Sequence, residues 1–370
     1  MARVKMSVGR RLQRTLASRF PGKLRWKGFR LAAGEMPLRQ LGAPFRMAGG
    51  PGEKREIAAD FDAQRDEAVF RIDGGYATDH GATLTASGRL IRELSREWNP
   101  QPEGHGRLQK PAWLPRVHRV EEAASITLEH NANYCHFLFE GLPRLRILQR
   151  CAVGREVPIY ANAKKAFQRE LLPLFGVPPE RLIAASDHPL LQAKRLWVPT
   201  YPGYQGKFTQ EAIDYLRTTV LKKLEAEAPL RIGSRKIYIS RRDATSRRIL
   251  NEAEIEIRLQ ALGFECLCLS DLPALEQLRA FAEARVVVAA HGASLTNIVF
   301  SSSGTSMVEV FPEDFYFDCY QELAVKVGVK ASWLRAASVR IGEGGLAQDL
   351  TITDQDYANI IEILRVEKLV

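Results

Sequence analysis

The residues best equipped for chemistry stand where apolar runs end. Residues 285–290 (Arg-Val-Val-Val-Ala-Ala) lead directly into His291-Gly292-Ala293-Ser294-Leu295-Thr296-Asn297. A glycine in such a turn lets the main chain approach a ligand, and the start of a following helix offers free N–H groups suited to a phosphate. His291 could donate a hydrogen bond to an anion, or serve only as a cap. Residues 236–240 run into Ser240-Arg241-Arg242-Asp243, followed by Arg247, Arg248 and Asn251, the last a candidate helix cap. Guanidinium forks match phosphate geometry and keep their charge, so this cluster fits a diphosphate clamp, with a solvated basic loop as the alternative. Glu309 lies inside the apolar run 306–311 and needs a partner there, either ribose hydroxyls or a buried arginine.

A second dense stretch is Asn131-Ala132-Asn133-Tyr134-Cys135-His136-Phe137-Leu138-Phe139-Glu140-Gly141-Leu142-Pro143-Arg144. On a helix His136 and Glu140 share a face, with Asn133 and Arg144 at compatible offsets. Either His136 or Glu140 could take a proton from a hydroxyl as general base. Structural polar groups at a domain interface would look the same.

Elements must hold these residues in place. The C-terminal half alternates short apolar strands (236–240, 264–269, 285–290, 306–311) with amphipathic helices (252–262, 274–284, one from about 294, 315–327). That rhythm demands a parallel sheet covered on both faces, a doubly wound α/β domain. Strands expected at 69–72, 125–128, 157–160, 181–184 and 194–198, with helices at 132–150 (interrupted near Pro143), 164–174 and 209–226, repeat it upstream. Two α/β domains are therefore expected, over 34–226 and 235–345, joined through the polar stretch 227–234. A basic segment precedes them over 1–33, and a helix within 346–370 would return to the first domain. Residues 99–106, rich in Pro and Gly, read as a loop.

Composition narrows the function classes. The chain has 370 residues, 45% hydrophobic and 26% charged, near globular averages, and the net charge is +10. Ten of the 53 basic residues fall within 1–30, where there is no acid, so the rest of the chain is balanced against its 43 acids. An electroneutral body lowers the prior for a nucleic-acid partner. Val4, Val8, Leu12, Leu16 and Phe20 recur every fourth residue up to Pro21, a stripe among arginines that suits an anionic membrane surface, a solvated tail or an organelle-targeting peptide. Five scattered cysteines without a C-x-x-C pair fit a reducing compartment and support neither disulfides nor a zinc site. The expected location is cytoplasmic, peripheral at the inner membrane face if the tail binds lipid.

Four blocks, "NYCHFLFEGLPRL" (133–145), "YISRRDATSRRILNE" (238–252), "LEQLRAFAEARVVVAAHGASLTNIVF" (275–300) and "SMVEVFP" (306–312), together resemble glycosyltransferase family 61. Phe137 stands where that family commonly has tryptophan, and Ser294 where it commonly has a second glycine. The resemblance implies a GT-B-like fold of two Rossmann-like domains facing a central cleft. It also implies an inverting mechanism with no required metal or other cofactor, and donor binding mainly by the C-terminal domain. Carried over by position, Arg241, Arg247, His291, Gly292, Ala293, Ser294, Leu295, Asn297 and Glu309 fall on the nucleotide-sugar side. His136 and Glu140 then become the catalytic candidates, with Asn133 and Arg144 on the acceptor side.

The expected activity is transfer of a sugar from a nucleotide-sugar, a UDP-sugar by preference, to a hydroxyl of a glycan in surface polysaccharide biosynthesis. Glu140 is the preferred base and His136 the second. The alternative is a non-catalytic nucleotide- or glycan-binding protein held at a membrane surface. No strand precedes a G-x-G-x-x-G and no G-x-S-x-G occurs, which argues against a dehydrogenase and a serine hydrolase.

Overall fold

The computed structural model describes residues 67–97, 116–151, 153–203, 207–342 and 347–370, with the backbone of three short strands before them, β1 (Leu24–Trp26), β2 (Phe29–Leu31) and β3 (Phe45–Arg46). The stripe expected within 1–20 and the loop expected at 99–106 lie outside the described residues. The chain divides into two compact units, one of Met1–Ala132, Glu140–Gln168 and Val177–Gln205, the other of Asn133–Phe139, Arg169–Gly176 and Gly206–Val370.

The first unit is built on a mixed sheet of order β3-β4-β10-β7-β8-β9, with a β5-β6 pair joined to β10. Its strands are β4 (Ala68–Asp73), β5 (Tyr76–Thr78), β6 (Thr83–Leu84), β7 (His118–Ser125), β8 (Ile159–Ala161), β9 (Leu182–Ala184) and β10 (Leu190–Pro199). β7 pairs in parallel with β10 and β8, and β4 runs antiparallel to β10. The strand expected at 125–128 in fact ends at Ser125. Ile126 and Leu128 are buried; the Ile126 N–H still donates to the Tyr160 carbonyl at 3.0 Å, but the Leu128 N–H donates to the Asn162 side chain, so the ladder runs out within this apolar stretch. The paired residues are the more polar 118–125, whose alternation is broken by Glu121 and Glu122.

The stretch 133–150 forms three pieces. Helix α1 (Tyr134–His136) opens into a π-helical turn at Phe137–Gly141, and α2 (Pro143–Arg150) begins on the proline. Pro143 has no N–H to give to the preceding turn, so it suits a helix start and enforces the interruption. Helix α3 follows at Ala166–Leu174.

The second unit carries the sheet β12-β11-β13-β14-β15-β16. The strands are β11 (Arg235–Ile239), β12 (Glu265–Leu267), β13 (Ala284–Ala290), β14 (Ser306–Pro312), β15 (Lys330–Arg340) and β16 (Gln348–Thr351). All neighbours are parallel except β15 and β16. The helices are α4 (Gln210–Glu227), α5 (Glu252–Gln260), α6 (Ala274–Ala282), α7 (Cys319–Lys326) and α8 (Asp354–Val366). One face of the sheet (Tyr238, Val286, Val288, Val308, Val310, Leu334) packs on α5 through Ile255 and Leu259 and on α8 through Ile360, Ile361 and Leu364. The apolar stripe of α8 is therefore used within its own unit.

Three features of this unit differ from the sequence expectation. Helix α4 belongs to it, so the division falls near 206, not in 227–234. The Arg217 guanidinium donates to the carbonyls of Val299 and Ser301, and that of Arg279 to the Leu224 carbonyl, tying α4 to this unit. The helix expected from 294 is a 3-10 helix over Ala293–Phe300, opened by a Leu295 N–H to Gly292 carbonyl bond. Its β-branched Thr296, Ile298 and Val299 are poor α-helix formers. β15 and β16 were not anticipated, because the exposed Lys330, Trp333 and Arg335 break up any apolar signal.

Candidate functional site

Numbering the parallel strands in chain order from β11 gives 2-1-3-4-5, so the order reverses between β11 and β13. In open α/β sheets the crevice outside the carboxyl ends at such a reversal is the preferred ligand position. The loop that follows β11 holds Arg241 and Arg247, and β13 ends in His291 and Gly292.

The arginine loop is tied to β16. The Arg247 N–H donates to the Gln348 carbonyl at 2.6 Å, Arg248 pairs with buried Asp349 at 2.5 Å, and main-chain bonds join Leu350 to Arg248 and Leu250 to Leu350. This pairing holds Arg247 at φ 54°, a left-handed conformation that costs a non-glycine residue energy. In return the Arg247 Nε donates to the His291 carbonyl at 2.8 Å. The Arg241 side chain donates to the carbonyls of Ser246 (2.7 Å) and Arg247 (3.2 Å), and its Nη1 would lie 2.7 Å from a Cβ built on Gly292. Gly292 thus leaves room for a guanidinium directly against the turn. The solvated-loop alternative does not describe Arg241 and Arg247, though Arg242 and Arg248 of the same loop are exposed.

Burial pushes the Arg241 pKa down, and burial with Arg241 as neighbour pushes that of Arg247 down to about 10. Two guanidinium groups held together in a partly desolvated place would be relieved by an anion.

On the other side of the turn, His291 Nδ1 lies 2.6 Å from Glu309 Oε1, both side chains being buried. The parallel register of β13 and β14 makes this pair, since Ala290 faces Val310 and the His291 N–H donates to the Val310 carbonyl at 2.8 Å. Of the two partners considered for Glu309, ribose hydroxyls or a buried arginine, the arginine is not found, and an imidazole pairs with the carboxyl instead. Burial raises the Glu309 pKa, with His291 and Gln321 opposing. Phe311 stacks on the His291 ring at 5.0 Å, and Phe315 and Tyr320 tilt against it at 5.3 Å.

The 3-10 helix that follows carries polar atoms without hydrogen-bond partners among the described residues: Ser294 Oγ, Thr296 Oγ1 and Asn297 Nδ2, together with Glu309 Oε2. Ala293 and Ser294 are half-buried, and Leu295 and Asn297 are fully buried. Asn297 Oδ1 accepts a 2.6 Å bond from the Tyr134 hydroxyl. Asn133 is the cap of α1, its Oδ1 accepting from the N–H groups of Cys135 (2.9 Å) and His136 (3.4 Å). Asn133, Tyr134 and half-buried His136 therefore belong to the unit that holds Arg241, Arg247, His291, Gly292, Asn297 and Glu309.

Glu140 and Arg144 belong to the other unit. Glu140 Oε2 lies 3.9 Å from Arg96 Nη1. Arg144, only 1% exposed, donates to the carbonyls of Thr127 (2.9 Å) and Pro199 (2.8 Å), and its guanidinium lies over the Tyr201 ring at 4.3 Å, as that of Arg96 does at 4.5 Å. A side chain so enclosed holds β7, β10 and α2 together and is not presented to a ligand.

Sequence reasoning missed Tyr134, Arg96, Tyr201 and Gln321. Tyr134 was inside a motif already singled out, but its partner is 163 residues away. Among the described residues, no three His, Cys, Asp or Glu side chains gather as a metal-ligand set, and all five cysteines are free.

Strand ends at a topological reversal that carry a glycine turn and two half-buried arginines define the class, a mixed α/β protein with a cationic strand-end site. The family model Glycosyltransferase 61 matches residues 134–308, from α1 into β14, a match that supports glycosyltransferase family 61 and a transferase activity. No curated protein matches it. No helix among the described residues is long and apolar enough to cross a membrane.

Proposed function

We propose that the chain transfers a sugar from a UDP-sugar to a glycan hydroxyl with inversion and without a required metal, in the making of a surface polysaccharide. The observation that carries the reading is the pair of half-buried guanidinium groups of Arg241 and Arg247 set against the His291–Gly292 turn. The reading includes the GT-B-like architecture that the family resemblance implies, and a peripheral position on anionic membrane through residues 1–30.

In this mechanism the acceptor oxygen attacks the anomeric carbon opposite the bond to phosphate. Its proton goes to a base, and the electron pair of the breaking bond goes to the nucleoside diphosphate. Arg241, Arg247, the main-chain N–H groups that follow Gly292 and His291 neutralise that departing charge, the largest electrostatic demand of the step. Buried Glu309 holds the His291 ring through Nδ1, which directs Nε2 toward the ligand. Glu140 is the proposed base, with His136 as second candidate, and Arg96 orients the Glu140 carboxylate. Asn133 and Arg144 contribute by fixing the main chain around the acceptor-side residues.

The test is release of UDP from a panel of UDP-sugars, with and without EDTA, beside calorimetric titration with UDP. Wild-type turnover that is equal in EDTA and in magnesium is expected. Glu140→Gln should lower turnover at least about a hundredfold, the usual scale for a lost general base, while UDP affinity stays within about twofold. Undiminished turnover in Glu140→Gln rejects the base assignment.

A further inference from the structure

Helix α1 has three residues and cannot hold itself together by its own ladder. Two side chains fix it, Asn133 as its cap and Tyr134 through Asn297. The second contact also acts on Asn297. A carboxamide has an acceptor end and a donor end of nearly the same shape, so a buried one needs a neighbour to set which way it points. Asn297 is 0% exposed, its Oδ1 is taken by the Tyr134 hydroxyl, and its Nδ2 meets no partner among the described residues. Burial raises the Tyr134 pKa, so its hydroxyl keeps the proton and donates. A buried donor left unmet is costly, and here it lies in the same 3-10 helix as the unmet hydroxyls of Ser294 and Thr296.

We propose that Tyr134 is a positioning residue for the donor substrate: its hydroxyl locks the Asn297 carboxamide with Nδ2 presented to an oxygen of the bound nucleotide-sugar. The inference rests on the reading under Proposed function. Tyr134 itself touches no substrate in this scheme. Without its hydroxyl the amide is free to turn its carbonyl end toward an anionic ligand, which repels it.

Tyr134→Phe keeps the ring and removes only the hydroxyl. UDP affinity, measured by calorimetry, should fall about tenfold, and KM for the UDP-sugar should rise in proportion, while kcat at saturating donor stays within about twofold. Asn297→Ala should lose at least as much affinity, and the double variant should lose no more than Asn297→Ala alone, because the two groups act as one unit. Thermal unfolding and circular dichroism check that each variant folds. UDP affinity in Tyr134→Phe equal to wild type, or losses that add in the double variant, overturns the inference and leaves the functional reading standing. If wild-type protein binds none of UDP, GDP, CDP and ADP, the functional reading fails and the inference with it.

Discussion

Glu309 shows how much a single side chain can depend on its neighbours. It occupies the middle of a strand whose seven residues are all buried, and it pairs with His291 at 2.6 Å. Burial raises its pKa, so the fold prefers the neutral acid more than the unfolded chain does. The stability this contributes is present at pH below the ordinary carboxylate range and is lost as pH rises through the raised value. Glu309→Gln removes that titration. The variant's melting temperature relative to wild type should therefore climb as pH rises above the ordinary carboxylate range, and a difference that stays flat with pH would refute the argument. The sequence placed His291, Arg241 and Arg247 beyond strand ends and Glu309 inside a strand where it needs a partner. It could not show which partner each takes, because the His291–Glu309 pair exists only once the β13–β14 register is set.

Elements explain why the arginines stand where they do. The loop after β11 is drawn onto β16, and the turn after β13 is kept free of a side chain at Gly292. The φ of Gly292 is 175°, an extended value open to any residue, so alanine there is not strained by the backbone. What it meets is the Arg241 guanidinium, 2.7 Å from the new methyl group. Gly292→Ala should therefore displace Arg241 and weaken UDP binding about tenfold, the scale of a lost charge-assisted hydrogen bond, with the melting temperature nearly unchanged. Calorimetry and thermal unfolding on one preparation check both halves. At this scale the regular alternation from β11 to β14 was legible, since buried parallel strands are short apolar runs. β7, β15 and β16 were not, as polar residues interrupt them, and the π-helical turn before Pro143 has no sequence signature.

For the whole molecule, charge is the property that sequence states most plainly. Ten cations and no acid in residues 1–30 stand before a balanced remainder. At roughly 1 kcal/mol per basic residue close to an anionic surface, such a segment can hold a protein on lipid, and salt should release it. Co-sedimentation with phosphatidylglycerol-containing vesicles is expected at low ionic strength. It should be lost at about 0.5 M salt, where the screening length falls to a few ångströms, and on deletion of residues 1–30. Equal sedimentation with neutral phosphatidylcholine vesicles would contradict the electrostatic account.

The second unit is assembled from three separated runs of chain, 133–139, 169–176 and 206–370, and the first of them stops one residue short of Glu140. A chimera that exchanges only the long run with a relative would leave Tyr134 facing a foreign Asn297, and Glu170, whose carboxylate accepts from the Ala274 N–H at 2.6 Å, facing a foreign α6. Transplanting a donor preference between relatives therefore calls for grafting all three runs at once, and a single recombination crossover would break matched partners apart.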